Sequence, residues 1–151
     1  MAVAAITHLN FHGDAREALE FYQSVFGGEV SLATYGQFGI PVQPADVDKV
    51  VFGSLSADSG FRVLAYDVPG ETTAAEPAPT TVRDNGATVT TEKFFLSAQS
   101  ETVEEASDYW ERLAEGANVI EPFGPAPWGP AFGMLTDRYG VTWILDVAAT
   151  H

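Results

Sequence analysis

The residues best suited to chemistry stand in the first strand-like segment of the chain. In "ITHLNF", His8 and Asn10 alternate with the apolar residues Leu9 and Phe11, and this period of two is typical of a strand with two different faces. His8 could bind a metal ion, hydrogen-bond a ligand, or be satisfied within the fold. If the polar face borders a cavity, these two side chains begin a binding site.

Aromatic residues at strand spacing form a second candidate set. They are Phe52, Tyr66, Trp128, Phe132 and Trp143. Such residues usually pack in a core, but Trp128 stands in the Pro/Gly-rich segment "PAPWGPAFG", where loops cover the mouths of cavities. An aromatic-walled pocket with few polar groups suits an apolar or planar small molecule. The predicted ligand-binding residues are His8, Asn10, Phe52, Tyr66, Trp128 and Phe132.

Other catalytic arrangements are missing from the sequence. It contains no Ser-His-Asp set with a nucleophile elbow, no Walker loop and no His-Glu-x-x-His, and no cysteine to serve as nucleophile or thiolate ligand. The carboxylates of "VEEASDYWE" fall opposite an apolar stripe, which predicts a solvated helix surface. Asp137 and Arg138 are expected to build a turn. Asp146 is a weak metal candidate and is expected at a solvated strand end. His12 is expected on the surface, and His151 is a tail residue.

The charge balance narrows the choice of partners. The 151 residues carry a formal net charge of −14, from 7 Lys and Arg against 21 Asp and Glu. Because phosphate binding needs clustered cations, this balance argues against nucleic acid or an anionic membrane surface. No apolar run approaches the ~18 residues of a membrane span, and the opening "MAVAAITHL" lacks the basic region of a secretory signal. We expect a soluble, cytoplasmic, acidic protein.

The elements that must position these residues follow a β-α-β-β-β order in the first half. After the first strand and the turn "HGD", Asp14 is predicted to cap a helix, with Glu17 at the capping-box position. Gly27 and Gly28 are predicted to end that helix, and a loop from Gly36 to Asp46 separates two of the three later strands, "EVSLATYG", "KVVFGSLSA" and "FRVLAYDV". The helix buries one stripe of residues at helical spacing: Ala15, Ala18, Leu19, Tyr22, Val25 and Phe26.

The second half repeats this order. A linker rich in Pro, Ala and Thr begins at Pro69, and "VRDNGATV" could close a small hairpin around Asn85 and Gly86. "EKFFLSA" then predicts a strand, and Thr102 with Glu105 a second capping box. The helix that follows has the apolar stripe Val103, Ala106, Trp110 and Leu113, and three strands succeed it in "ANVIEPFG", "AFGMLTD" and "VTWILDV".

The fold class predicted is therefore α+β, with two tandem βαβββ modules. We expect the first module over residues 1–68, a linker over 69–91 and the second module over 92–151, together one domain. Each module presents a sheet with a helix on one face only. Pairing the bare faces as curved sheets around a shared cavity would bury them and would bring His8 and Asn10 to that cavity.

Three parts of the chain resemble a known family. They are "GDAREALEFYQSVFGGEV", Trp128 and "FGMLTDRYGVTWILDV", and they resemble the vicinal oxygen chelate superfamily of glyoxalases, extradiol dioxygenases and bleomycin-resistance proteins. Its PhnB-like branch, also labelled demethylubiquinone-methyltransferase-like, is the most similar. Nothing in the sequence resembles the glycine-rich nucleotide loop of a Rossmann-type methyltransferase.

The resemblance implies a set of metal ligands that this chain does not reproduce. In enzymes of the superfamily, cavity-facing His, Gln or Glu residues hold a divalent ion that chelates two substrate oxygens. His8 falls at or within one residue of the first ligand position, but Phe52 occupies the place of a His common in PhnB-like proteins. The Glu expected in the last strand falls on or near Ile144, and "FFLSA" offers neither imidazole nor carboxylate. We therefore predict no bound metal and no cofactor.

These observations favour a PhnB-like protein that binds a small, apolar or aromatic molecule in the cavity between its sheets. The resemblance also implies a homodimer, and it leaves open whether the protein is an enzyme. One alternative is a metal-dependent glyoxalase-type lyase or dioxygenase. The other is an antibiotic-sequestering, bleomycin-resistance-like protein, whose cationic ligand the charge of −14 would attract.

Overall fold

The computed structural model describes residues 2–70 and 81–148. Packing divides the chain into two units, residues 1–75 and 76–151. Most of the Pro/Ala/Thr-rich segment predicted as a linker lies outside the described residues, as does His151.

The first unit has one helix and one four-stranded sheet. Its elements are β1 (Thr7–Phe11), α1 (Ala15–Phe26), β2 (Glu29–Thr34), a short 3-10 helix (Pro44–Asp46), β3 (Val50–Ser56) and β4 (Arg62–Asp67). The strands lie in the order β1-β4-β3-β2, with β1 parallel to β4 and the other pairs antiparallel. The predicted β-α-β-β-β order of the first half is confirmed.

The second unit repeats this topology behind a small hairpin. Its elements are β5 (Val82–Asp84), β6 (Ala87–Val89), β7 (Leu96–Ser100), α2 (Val103–Leu113), β8 (Asn118–Ala126), β9 (Gly129–Thr136) and β10 (Thr142–Val147). The larger sheet has the order β7-β10-β9-β8, which matches the first sheet strand for strand. The α+β class and the tandem βαβββ modules are thus confirmed. Within the described ranges, neither helix is long and apolar enough to cross a membrane.

The hairpin expected around Asn85 and Gly86 is present. Strands β5 and β6 pair antiparallel, and both turn residues have positive φ, 51° at Asn85 and 82° at Gly86. Positive φ at both central positions defines the type I′ turn that Asn-Gly favours. The hairpin lies within the stretch predicted as a linker, so that stretch contains structure of its own.

Helix α1 packs on its sheet as its spacing predicts. All six residues of the predicted stripe are buried, and the ring of Phe26 stacks on Phe61 with 4.1 Å between ring centroids. The helix ends at Phe26 and Gly27 is its C-cap, with a φ of 77° in the left-handed region that glycine tolerates.

The prediction that the Asp14 side chain caps α1 is wrong. Asp14 occupies the N-cap position, but its side chain accepts no capping hydrogen bond. Asp67, at the end of β4, takes that role: its Oδ1 accepts from the backbone N–H groups of Gly13 at 2.8 Å and Ala15 at 3.0 Å. The other oxygen, Oδ2, accepts from Val50 N–H at 2.9 Å. One buried carboxylate therefore joins β4, the start of α1 and the start of β3.

Helix α2 is capped as predicted, but its apolar stripe is shorter. The hydroxyl of Thr102 accepts from Glu105 N–H at 3.2 Å, and Ala106 and Leu113 are buried. The spacing predicts that Val103 is buried with them, but Val103 is 40% exposed. It is the first residue of the helix, and burial against the sheet begins one turn later, at Ala106.

Strand β7 begins later than predicted, at Leu96 rather than near Glu92. The Glu92 carboxylate accepts from the Thr142 hydroxyl of β10 at 3.0 Å and also from the Thr81 hydroxyl. The residues after it do not enter the core, and Phe94 is 67% exposed. Glu92 thus makes side-chain hydrogen bonds instead of belonging to the strand that the sequence pattern predicts.

The predicted loop between β2 and β3 is held by an ion pair. Asp46 is buried, pairs with Lys49 at 2.7 Å, and accepts from Gly70 N–H at 3.1 Å. The pKa of Asp46 is lowered, first by the hydrogen bond from Lys49 and then by that from Gly70, against the opposing effect of burial.

Replacing Asp46 with Asn is expected to destabilise the protein at neutral pH more than in acid. A carboxyl whose pKa is lower in the folded state contributes its full stability above the unfolded pKa, about 3.9. That contribution disappears as the pH falls through the lowered pKa of the folded state. Urea denaturation at pH 7 and at pH 3 should therefore show the variant approaching the wild type in acid. The control is the exposed neighbour Asp48→Asn, expected to change stability by less than about 0.5 kcal/mol at pH 7; a constant deficit for Asp46→Asn would contradict the prediction.

Candidate functional site

Four of the predicted site residues share one face of the first sheet. In register, Asn10 lies beside Tyr66 of β4. On β3, a Cβ at Gly53 would meet Leu19 of α1 at 2.7 Å, so Gly53 faces the helix and its neighbour Phe52 faces away. Leu9 and Phe11 of β1 are buried, whereas the residues that alternate with them are exposed. The face turned away from α1 therefore carries His8, Asn10, Phe52 and Tyr66.

His8 is held in place by its two neighbours on this face. Its Nδ1 lies 3.1 Å from Asn10 Oδ1, and its ring meets Tyr66 edge to face with 5.2 Å between centroids. With the Asn10 carbonyl oxygen as acceptor, the neutral imidazole carries its hydrogen on Nδ1, and the Nε2 lone pair can accept a hydrogen bond or bind a metal ion.

The two predicted site residues of the second half also lie together. Trp128 stands in the connection between β8 and β9, and its ring meets Phe132 of β9 edge to face with 5.1 Å between centroids. A Cβ at Gly133 would meet Trp110 of α2 at 2.8 Å, so the neighbouring Phe132 points away from that helix. Trp128 is 55% exposed and leaves a large aromatic surface open to a ligand.

Trp143, grouped with these aromatic residues in the sequence, belongs to the core instead. It is fully buried, and its indole N–H donates to Asp137 Oδ2 at 2.9 Å. The other oxygen of Asp137 accepts from Tyr139 N–H and Val141 N–H. Asp137 therefore builds the β9–β10 turn, as predicted, and also satisfies the buried indole.

Two charged residues lie beside Phe132: Arg83, which sequence reasoning missed, and Asp146, which it considered only as a weak metal candidate. Asp146 of β10 is the register partner of Phe132. The guanidinium carbon of Arg83, on β5, lies 5.2 Å from the Phe132 ring centroid and 5.9 Å from that of Trp128. Arg83 Nη1 also donates to the hydroxyl of Thr88 at 3.0 Å. The one available signal was the Asn-Gly turn, which predicts the hairpin and places Arg83 and Thr88 on the same face of it.

Within the described residues, the side chains that could bind a metal ion are not clustered. Among residues 2–70 and 81–148, no group of three or more His, Asp or Glu side chains could hold a metal ion. Phe52 and Ile144 bear no metal-binding atoms, and Nδ1 of His8 is hydrogen-bonded to Asn10. A divalent ion bound for catalysis takes about three protein ligands, so the donor set of the described residues does not fit one.

Two β-α-β-β-β units, each with a helix on one sheet face and polar and aromatic side chains on the other, define a class of fold shared by enzymes and binding proteins. The model of the Glyoxalase/Bleomycin resistance protein/Dioxygenase superfamily matches residues 5–145. The chain belongs to this superfamily.

Individual relatives include proteins of the PhnB type. The solved structure of the PhnB protein from Bacillus cereus is 26% identical, with a TM-score of 0.70, covering 97% of this chain and 100% of its own. PA1353 from Pseudomonas aeruginosa is 29% identical, with a TM-score of 0.72, covering 99% of this chain and 100% of its own. YjdN of Escherichia coli K12 is 22% identical over 141 residues, 93% of this chain and 92% of YjdN. The predicted resemblance to PhnB-like proteins is confirmed.

Proposed function

We propose that this protein binds a small apolar or aromatic molecule through the two sheet faces that carry His8 and Trp128, without a catalytic metal ion. The observation that carries the proposal is that each sheet presents aromatic rings on the face turned away from its helix, and that the first sheet also carries the oriented imidazole of His8 there. The cavity predicted between the two sheets remains a prediction.

The exposed rings supply the driving force for binding. Phe52 is 45% exposed and Trp128 is 55% exposed. Burial of apolar surface stabilises a complex by about 25 cal/mol per Å², and rings that stack or meet edge to face add directional preference. A flat aromatic ligand makes fuller use of such surfaces than a small polar one.

The polar residues supply orientation rather than Lewis-acid chemistry. Asn10 holds the His8 ring through Nδ1, so Nε2 can accept a hydrogen bond from a ligand hydroxyl or N–H group. The aromatic and aliphatic residues at positions 52 and 144, where the resemblance puts metal ligands, support the loss of the metal set.

A thermal-denaturation experiment with chosen probes tests this function. We expect 2-naphthol, a neutral aromatic compound with one hydrogen-bond donor, to raise the midpoint of unfolding in a concentration-dependent way. The cationic aromatic compound proflavine tests the antibiotic-sequestering alternative, and stabilisation by proflavine alone would favour it. If no neutral aromatic probe, 2-naphthol included, stabilises the protein, the proposal is overturned.

Metal analysis separates the proposal from the enzymatic alternative. Protein purified without chelators is expected to contain far less than one equivalent of zinc, nickel, manganese or iron. Near-stoichiometric metal would instead support a metal-dependent lyase or dioxygenase. Homodimer formation, also implied by the resemblance, is checked independently by sedimentation equilibrium.

Replacing His8 with Ala is expected to reduce the stabilisation by 2-naphthol while leaving the ligand-free protein almost unchanged. The exposed imidazole contributes little to the unliganded fold, whereas one ligand hydrogen bond contributes about 0.5–1.5 kcal/mol. The matched control is His12→Ala, another exposed histidine in the turn after β1, which should leave the response to 2-naphthol intact. Equal losses in the free and the liganded protein would show His8 to be structural.

A further inference from the structure

Two buried polar atoms in the described part of the chain have no hydrogen-bond partner. They are Nε of Arg83 and Oδ1 of Asp146. Nearly all buried polar atoms in folded proteins are hydrogen-bonded, so an unpaired one calls for an explanation. Here one atom is a donor with a positive charge and the other an acceptor with a negative charge.

Both atoms belong to side chains that adjoin the same aromatic ring. Asp146 is paired with Phe132 across β10 and β9, and the Arg83 guanidinium lies over Phe132 from the β5–β6 hairpin. The guanidinium does not satisfy Asp146 Oδ1, and the contact of Asp146 Oδ2 with the Gln99 amide is long, at 3.5 Å. Arg83 Nε and Asp146 Oδ1, together called the hydrogen-bonding edge, thus each belong to a side chain next to Phe132.

The hairpin holds Arg83 in this position. The guanidinium donates from Nη1 to Thr88 Oγ1 at 3.0 Å, and that hydroxyl lies 3.6 Å from the sulfur of Met134 on β9. Nη1 is engaged with the hairpin and the guanidinium lies over two rings, while Nε is a buried donor without a hydrogen-bond partner. A preorganised donor of this kind costs little entropy when a ligand binds.

We infer that this edge recognises a neutral cyclic aromatic amide, a planar ring system with an N–H donor next to a carbonyl acceptor. The N–H of the ligand donates to Asp146 Oδ1, its carbonyl accepts from Arg83 Nε, and its rings pack against Phe132 and Trp128. The inference rests on the proposed function and specifies the class of ligand. Because one carboxylate is matched by one guanidinium, the site favours a neutral ligand over the cation that the overall charge of −14 would attract.

Three ring systems of equal size test the inference. Isoquinolin-1(2H)-one has the donor and the acceptor, isoquinoline has an acceptor only, and naphthalene has neither. In titrations of the full chain followed by ¹H–¹⁵N NMR, the amide is expected to bind at least tenfold tighter than the other two. The shifts should include the indole N–H of Trp128 and the backbone of β9 and β10.

Two substitutions assign the preference to the charged pair. Asp146→Asn and Arg83→Met are each expected to reduce affinity for the amide about tenfold and to leave affinity for naphthalene unchanged, since methionine keeps an apolar stem over the rings. Arg16→Met, at an exposed position of α1, is the control and should change neither affinity. The midpoint of thermal unfolding of ligand-free Asp146→Asn should not fall, since no protein group is bonded to Oδ1.

The outcomes separate this inference from the function on which it rests. Equal binding of the amide and naphthalene would overturn the inference and leave the proposed function standing. The inference would also be overturned if the Asp146→Asn and Arg83→Met variants both kept the preference for the amide. It would be overturned likewise if the weaker binding of these variants were explained by a lower stability of the ligand-free protein. If none of the three compounds binds, both the inference and the proposed function are overturned.

Discussion

Replacing Asp67 with Ala is expected to lower the free energy of unfolding by about 3–5 kcal/mol, because three hydrogen bonds to a buried carboxylate are lost together. The acceptor is 1% exposed, and water cannot readily replace it at the N–H groups of Gly13, Ala15 and Val50. Natural domains are stable by only about 5–15 kcal/mol. Urea denaturation at pH 7 should therefore show a large shift of the midpoint at a similar m-value.

The control for this prediction is Asp14→Ala. Asp14 precedes α1 at the N-cap position without a side-chain capping bond, so its removal should cost less than about 0.5 kcal/mol. Asp67→Asn should fall between the two, because an amide retains one oxygen and cannot accept on both sides. A larger cost at Asp14 than at Asp67 would show that the cap is local after all.

Asp67 also illustrates what a local sequence pattern cannot predict. The segment from Asp14 to Glu17 has the composition of a capping box, and nothing nearby competes with it. The residue that accepts the bonds stands much later in the chain, 52 positions after Ala15. It arrives only because β4 pairs in parallel with β1 and brings Asp67 beside Phe11. Capping of α2, by contrast, is local, and there the sequence pattern predicts the bond to Thr102.

Much of the fold is predictable because it depends on periodicity. The burial of one stripe on α1 and the alternation along β1 follow directly from periods of 3.6 and 2, and the recurrence of these patterns predicts the duplicated units. Periodicity works less well at element ends. It assigns Glu92 to a strand and Val103 to a stripe that these residues do not join, since their positions depend on contacts that no local pattern encodes.

The candidate site divides in the same way. Alternation along β1 is enough to put His8 and Asn10 on the face away from α1. The charged pair at the second site is not predictable, because Arg83 reaches Phe132 from a separate hairpin and Asp146 acquires its place from strand register. The Asn-Gly turn predicts the hairpin that contains Arg83, but it does not predict what the hairpin packs against.

In both βαβββ modules, the helix packs closely against a glycine of the sheet. The third strand of each βαβββ module contains a glycine beneath the helix, Gly53 in β3 and Gly133 in β9. A Cβ at Gly53 would approach Leu19 at 2.7 Å, and one at Gly133 would approach Trp110 at 2.8 Å. Leu19 occupies the space beside Gly53, and Trp110 occupies the space beside Gly133. The two modules therefore share the glycine but not the helix residue that packs against it. Close approach of helix to sheet thus explains both glycines.

Replacing Gly133 with Ala is accordingly expected to lower the free energy of unfolding by about 1–3 kcal/mol, the usual cost of overpacking a core. The Trp110 ring is stacked on Phe123 with 5.7 Å between centroids, and the backbone Cα of Phe123 lies 3.0 Å from the position that the added methyl group would take. Neither neighbour can give way as the end of a flexible chain would. Urea denaturation of the variant and the wild type measures the difference.

Two comparisons show whether crowding is the cause. Gly124→Ala, on the adjacent strand β8, has no heavy atom within 4 Å of the added methyl and should be neutral or slightly stabilising. In the Gly133→Ala background, Trp110→Leu should cost less than it does in the wild type, because the smaller side chain relieves the contact. If the two substitutions are additive, the helix does not depend on the missing Cβ, and the glycine must be explained by strand geometry alone.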